Sequence, residues 1–325
     1  MSATRKAKQF LVVIIKLLIV GGAFYFIYDR ITNNEQLDWI RFTDTLQKKH
    51  SFWIVFLILL LTFLNRFLEI VKWKNLVAYI QPISLGKATE QVLSAVTAAL
   101  FTPNGIGEYA AKTLYFTKKE SKEVIFLNLI CNGIQLIIAV VVGMIGLFIF
   151  NASYHIIPLN IILIVIGTIG AIAMLLFLSR NFNIKGYSIK RLLEKINHIP
   201  RNIHHKNIML AVLRYLVLMH QYYFLFYVFG IDISYPIMMC TISATYFLGS
   251  SLPSFQFLDF AVKGSVALFF FERLGVNEWV VVFVATLIWL LNTVIPVIIG
   301  SYFVFTFKSA RSSESEEDIT TSHPE

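Results

Sequence analysis

The residues best suited to chemistry stand in one short run, Thr102-Pro103-Asn104-Gly105-Ile106-Gly107-Glu108, with Lys112 just beyond it. A proline and two glycines make a turn, and Asn104 is of the type that caps a helix by accepting from its first amides. If residues 109–116 continue as a helix, its start presents open N–H groups and partial positive charge, which suits an anion such as a lipid phosphate. Glu108 and Lys112 are four apart with the acid first, the spacing of an intrahelical ion pair. A second run behind Pro253 carries Asp259 and Lys263 in the same relation. Arg66, three residues before Glu69 inside an apolar run, suits the wall of a cavity. Arg214 lies near the end of its own run and is expected to snorkel to the nearby aqueous face. His220 reads as a hydrogen-bonded core histidine, and His204-His205 as surface residues.

No nucleophile accompanies either hairpin acid. The chain has no GxSxG, HExxH, Walker A or standard glycine-rich phosphate loop. Cys131 and Cys240 both lie in apolar sequence and make neither a disulfide framework nor a zinc spacing. Binding rather than catalysis is the expectation, with no catalytic residue, no metal and no cofactor. The substrate-binding set is Arg66, Pro103, Asn104, Gly105, Gly107, Glu108, Lys112, Pro253, Asp259 and Lys263.

The elements that position these residues follow from composition. Of 325 residues, 57% are hydrophobic and 14% charged, with a mean hydropathy of +0.70. Soluble domains hold about 45–50% apolar and about 25% charged residues, so a water-soluble enzyme is excluded and a polytopic helical membrane protein is expected. The net charge of +9 sits in loops, which points to orientation in a membrane and not to nucleic acid. Apolar runs at 10–28, 52–71, 124–150, 156–178, 209–230 and 279–307 reach the roughly 20 residues a spanning helix needs. The first follows a basic start and lacks a small-residue exit, so it reads as a retained anchor.

Segments 84–101 and 236–252 are less apolar and rich in small residues. Each runs into a proline, Pro103 or Pro253, and a brief apolar piece follows. That shape predicts a re-entrant or broken-helix hairpin; two ordinary short spans are the alternative. The loop 180–206 holds seven basic residues against one acid, Glu194. It is therefore expected in the cytoplasm with both termini, and the hairpins then enter from opposite sides. The result is an all-α fold of six to eight spans. The acidic tail 309–325 is expected to be disordered and cytoplasmic.

The halves repeat. Ile83-Ser84 recurs as Ile233-Ser234 and Pro103 as Pro253 at an offset of 150; Glu108-Tyr109-Ala110-Ala111-Lys112 recurs as Asp259-Phe260-Ala261-Val262-Lys263 at 151. One membrane domain, 1–308, built from inverted pseudo-repeats at about 52–150 and 209–307, is the expected plan, with a substrate site where the broken helices meet.

Arg66, Lys72-Trp73-Lys74 and the run from Thr102 to Tyr109 resemble the lysylphosphatidylglycerol synthase transmembrane (flippase-like) family, over roughly residues 10–307. The resemblance implies an all-helical unit that moves or binds phospholipids, typically aminoacylated or anionic ones. The family's second half usually carries a Pro-Gly-Gly-x-Gly-x-x-Glu pattern; here Pro253 and the acid Asp259 remain and the glycines are lost. Members that make the aminoacyl lipid carry a soluble transferase domain after the membrane unit, and none is expected in the 18 residues after Phe307. The function expected is therefore a phospholipid flippase or lipid-binding transport protein of the cytoplasmic (inner) membrane, with a membrane phospholipid as partner and a homo-oligomer left open. Alternatives are a small-solute or ion transporter on the same plan, or a non-transporting partner of an envelope-building enzyme.

Overall fold

The computed structural model describes residues 52–307 apart from 101, 156, 180–188 and 253. The first apolar run, Pro253 and the acidic tail lie outside the described residues, with the expectations placed on them.

Every regular element described is helical. In the first half, α1 (Phe52–Val77) is followed by a hairpin of α2 (Leu85–Ala99) and α3 (Gly107–Thr113), then by the long α4 (Ser121–Tyr154). Next come α5 (Leu159–Leu178) and the short amphipathic α6 (Ile189–His198). The second half repeats the order: α7 (Arg201–Val228), a hairpin of α8 (Tyr235–Ser251) and α9 (Asp259–Phe271), then α10 (Glu278–Trp289), which runs through a π-helical turn (Leu290–Val294) into α11 (Ile295–Thr306). Among the described residues, α1, α4, α7 and the continuous stretch Glu278–Thr306 are long and apolar enough to cross a membrane. The chain is therefore a multi-pass membrane protein.

Local sequence explains most boundaries. Ser84 caps α2 by accepting from the Lys87 amide at 3.2 Å, and Asn277 caps α10 by accepting from Trp279 N at 3.1 Å. Prolines at 158 and 200 immediately precede α5 and α7. α7 extends beyond its apolar sequence at its start, and α1 beyond its own at its end, where polar residues have partners in neighbouring helices. Lys72, for example, is fully buried in α1 and is not a loop cation. Trp73, just past the end of the apolar run, is likewise buried in the core, where Nε1 donates to Gln91 Oε1 at 2.7 Å.

The packing crosses over between halves. The two leading spans, α1 and α7, lie against each other. The first hairpin's α2 packs on α11, the last helix of the second half, and the second hairpin's α8 packs on α4, the last of the first. Small residues permit both approaches. A Cβ on Gly300 would stand 2.2 Å from the Leu93 carbonyl oxygen, and one on Gly143 would stand 2.1 Å from Phe247 Cβ. Thr97 Oγ1 donates to the Val297 carbonyl at 3.3 Å across the first seam. Close helix contact through small residues and cross-helix hydrogen bonds is what holds helices together where lipid removes the hydrophobic drive between them.

Candidate functional site

The hairpins meet tip to tip. Asn104 N donates to the Ser254 carbonyl at 2.8 Å, Ser254 N donates to Asn104 Oδ1 at 3.0 Å, and Pro103 and Phe255 form an isolated antiparallel bridge. Asn104 and Gly105 both take left-handed backbone, φ 49° and 69°, which asparagine and glycine tolerate best.

This corrects the expected anion nest. Asn104 does not cap its own helix; Ile106 holds that position, and the Asn104 side chain serves the other hairpin. Nor are the first amides open. Gly105 N donates to Thr102 O, Ile106 N to Pro103 O, Gly107 N to Thr102 Oγ1 at 2.8 Å, and Glu108 N to Gly105 O. At seven residues, α3 is a short helix whose opening turn is satisfied within itself. The glycines have packing roles instead. A Cβ on Gly105 would stand 2.7 Å from Gln256 Nε2, and one on Gly107 would stand 2.6 Å from the Ala98 carbonyl oxygen.

Beside the clasp lies a cavity of about 480 Å³, with Asn104, Ser254 and Gln256 in its wall. Both halves line it, and their charged groups converge on it: Arg66, Glu69 and Glu108 from one, Arg214, Asp259 and Lys263 from the other. Lys112 Nζ stands 2.6 Å from Glu108 Oε1, donates to Asn128 Oδ1 at 2.8 Å and lies over the Trp73 ring, 4.2 Å from its centroid. Lys263 Nζ matches it, 2.6 Å from Asp259 Oδ2 and 5.1 Å from the centre of Tyr246. Gly249 makes room for that lysine, since a Cβ there would stand 2.9 Å from Lys263 Cγ. Each hairpin lysine thus sits between an acid and an aromatic face, an arrangement that holds charge away from bulk water at reduced cost. Glu108 and Lys112 are buried; Asp259 and Lys263 are half-buried, and Pro103 is exposed at the tip.

At the back of the cavity the polar groups close into a ring. Asn65 Nδ2 donates to Asn292 Oδ1 at 2.9 Å, and Asn65 Oδ1 accepts from Arg214 Nε at 2.8 Å. Glu69 Oε2 receives Arg214 Nη2 at 3.3 Å and the Arg66 guanidinium; Arg66 Nη2 donates to the Asn292 carbonyl. Asn292 Nδ2 extends the ring to Gln221 Oε1 at 2.9 Å, and Gln221 Nε2 to Thr62 Oγ1 at 2.7 Å. The helix supplies the acceptor for Arg66. Pro296 has no N–H to give to the carbonyl four residues back, and the π-turn at Leu290–Val294 re-aims that stretch of backbone.

Arg214 is a second correction: it does not snorkel outward but turns into this ring. Sequence reasoning missed it, along with Asn65, Gln221 and Asn292. A signal for it existed, since Arg214 stands 148 residues after Arg66, close to the repeat offset. His220, half-buried, donates from Nδ1 to the Leu216 carbonyl at 2.8 Å and pairs through Nε2 with Tyr235 OH at 2.9 Å, away from the cavity.

Lys72, with Nζ 3.4 Å from Gln135 Oε1, and Lys112 both lie close enough to Glu69 to act on it electrostatically. Counting them, five cations (Arg66, Lys72, Lys112, Arg214, Lys263) meet three carboxylates (Glu69, Glu108, Asp259) in and behind the cavity wall among the described residues. The excess lies beside Glu69, because Asp259 and Lys263 balance each other. Such a site favours an anion. No cluster of His, Cys, Asp or Glu suited to a metal occurs among the described residues.

A sequence model of the family described as lysylphosphatidylglycerol synthase TM region matches residues 13–300. No curated protein matches the chain.

Proposed function

Because the chain belongs to the lysylphosphatidylglycerol synthase transmembrane-region family, we propose that it is a phospholipid carrier of the cytoplasmic membrane that takes an anionic or aminoacylated headgroup into the cavity between its hairpins. The phosphate sits at the Arg66–Arg214 end, where positive charge is in excess. Leu129 and Leu136, both exposed on α4, and Gly133 between them also line the cavity, so it opens toward the side of the bundle, where acyl chains stay in lipid. The observation that carries the reading is this charged cavity with an apolar flank, in an otherwise apolar bundle. Charged groups at membrane depth mark pathways for polar cargo.

The crossed packing, the matched Glu108–Lys112 and Asp259–Lys263 pairs and the repeat offset all support an inverted-repeat plan of six spans and two re-entrant hairpins, and the basic loop 180–206 supports placing both termini in the cytoplasm. Transport rather than catalysis is the proposal, with the one anion-binding end at Arg66 and Arg214.

Purified protein in vesicles carrying fluorescent phosphatidylglycerol in one leaflet tests the reading. Protein-dependent equilibration between leaflets is expected, faster than for phosphatidylcholine. If neither anionic nor aminoacyl phospholipid redistributes above the rate in empty vesicles, the carrier reading fails.

A further inference from the structure

We propose that the contact between the hairpin tips is the gate of the cavity, a clasp that parts and re-forms as cargo passes. The proposal rests on reading the cavity as a lipid site. Three observations carry it. The first is how little the hairpins otherwise share: α2 packs on α11 and α8 on α4, while the helices of one hairpin hardly touch those of the other. What joins the tips is the pair of bonds between Asn104 and Ser254, the Pro103–Phe255 bridge, the close approach of Gly105 to Gln256, and an apolar cluster around Trp289 that takes Val96 and Leu100 from one hairpin and Phe257 and Phe260 from the other. No ion pair crosses between the tips among the described residues.

The second is location. Asn104, Ser254 and Gln256 are themselves cavity wall, so parting them changes where the cavity opens. The third is chemistry. Parting frees two main-chain N–H donors, Asn104 and Ser254, on the cavity wall, where the Ser254 hydroxyl donates to Asp259 Oδ1 at 3.4 Å. At membrane depth they need new acceptors, and phosphate oxygens or cavity water supply them. An anionic headgroup therefore stabilises the parted state more than the clasped one, which is the differential affinity a ligand needs to shift an equilibrium. The left-handed pair Asn104-Gly105 gives the first tip its hinge.

The test begins with the clasp's own residues in place. With Cys131 and Cys240 replaced by alanine, spin labels attached through Ile106→Cys and Leu252→Cys report the distance between tips. Both positions are exposed, at 62% and 48%. In phosphatidylcholine vesicles one short distance is expected. In phosphatidylglycerol vesicles a second, longer distance should appear, with the open-to-closed ratio raised about tenfold. Adding Asn104→Gly, which keeps the left-handed backbone and removes the side-chain bond, should raise the longer population in both. A single short distance in both vesicles that Asn104→Gly does not alter overturns the gate and makes the clasp a permanent joint. Lipid-dependent parting in a protein that moves no lipid between leaflets would keep the gate and refute the carrier.

Discussion

Glu69 holds two guanidinium groups together, and Glu69→Gln tests what that arrangement is for. The carboxylate is buried, with Arg214 Nη2 at 3.3 Å and Arg66 closer still on the same oxygen. At an effective dielectric of about 20, each contact of that length carries roughly 5 kcal/mol of gross attraction. The attraction is offset by the cost of taking all three charges out of water, so the net loss on removing one partner of a buried group is about 3–5 kcal/mol. Glutamine keeps the shape and leaves two half-buried guanidinium groups on the cavity wall facing each other without their carboxylate. In neutral-lipid micelles the variant should lose on the order of 6–10 °C in thermal midpoint. An anionic headgroup replaces the missing charge, and at a hundredfold excess over its Kd it returns about 2.7 kcal/mol. Adding phosphatidylglycerol should therefore recover more than half of the lost midpoint, and raise the wild type less. Thermal unfolding in phosphatidylcholine and phosphatidylglycerol micelles reads both numbers. An equal drop in the two lipids would show that Arg66 and Arg214 are a purely structural pair that never meets a ligand anion, and the proposed headgroup site would be lost with it.

Glycine substitutions should divide by position. Gly300→Ala and Gly143→Ala press a methyl into backbone or a packed side chain and should cost about 1–3 kcal/mol each, whereas a Cβ on Gly167 or Gly170 meets nothing within 4 Å, and alanine there should be neutral or stabilising by up to about 1 kcal/mol; thermal midpoints of the four variants check the split. Pro296→Ala restores an N–H that competes with Arg66 for the Asn292 carbonyl. Unchanged or higher thermal stability with at least severalfold slower lipid equilibration is expected, and unaltered transport would remove the π-turn from the mechanism. Cysteine-accessibility labelling should find Lys119→Cys and Lys190→Cys reactive from the same aqueous side; reaction from opposite sides would replace the first re-entrant hairpin with plain spans.

The hairpins and their paired charges could be read from sequence because they rest on short-range rules: a proline after a small-residue segment, and an acid four residues before a lysine. Those rules act within one turn of helix. Asn104 was misread by the same kind of rule. Its capping chemistry is sound, but the amide it serves belongs to Ser254, 150 residues away. Arg214 failed for a related reason. Hydropathy places a residue along a span but not around it, so a guanidinium near a span end looks outward until the facing span is known. Lys72 and Trp73 sit in a basic, aromatic stretch that resembles a membrane border, yet their partners Gln135 and Gln91 come from α4 and α2. The ring around Asn292 needs three separate segments in place, α1, α7 and the π-turn, and of its members only Arg66 was expected at a cavity wall.

The crossed seams also govern how the protein is made. Thr97 meets Val297 across 200 residues of chain, so at about 5–20 residues per second its partner leaves the ribosome roughly 10–40 s later. For that interval the first hairpin has emerged without the helix that completes its packing, while α4 receives α8 much sooner. Assembly is therefore asymmetric in time, even where the finished halves match. The first hairpin, with Glu108 and Lys112 paired on one short helix, must be held by α1 and α4 alone until the last span arrives. Substitutions that weaken those early contacts will show as lost insertion and degradation of the nascent chain before they show as any defect in the finished protein.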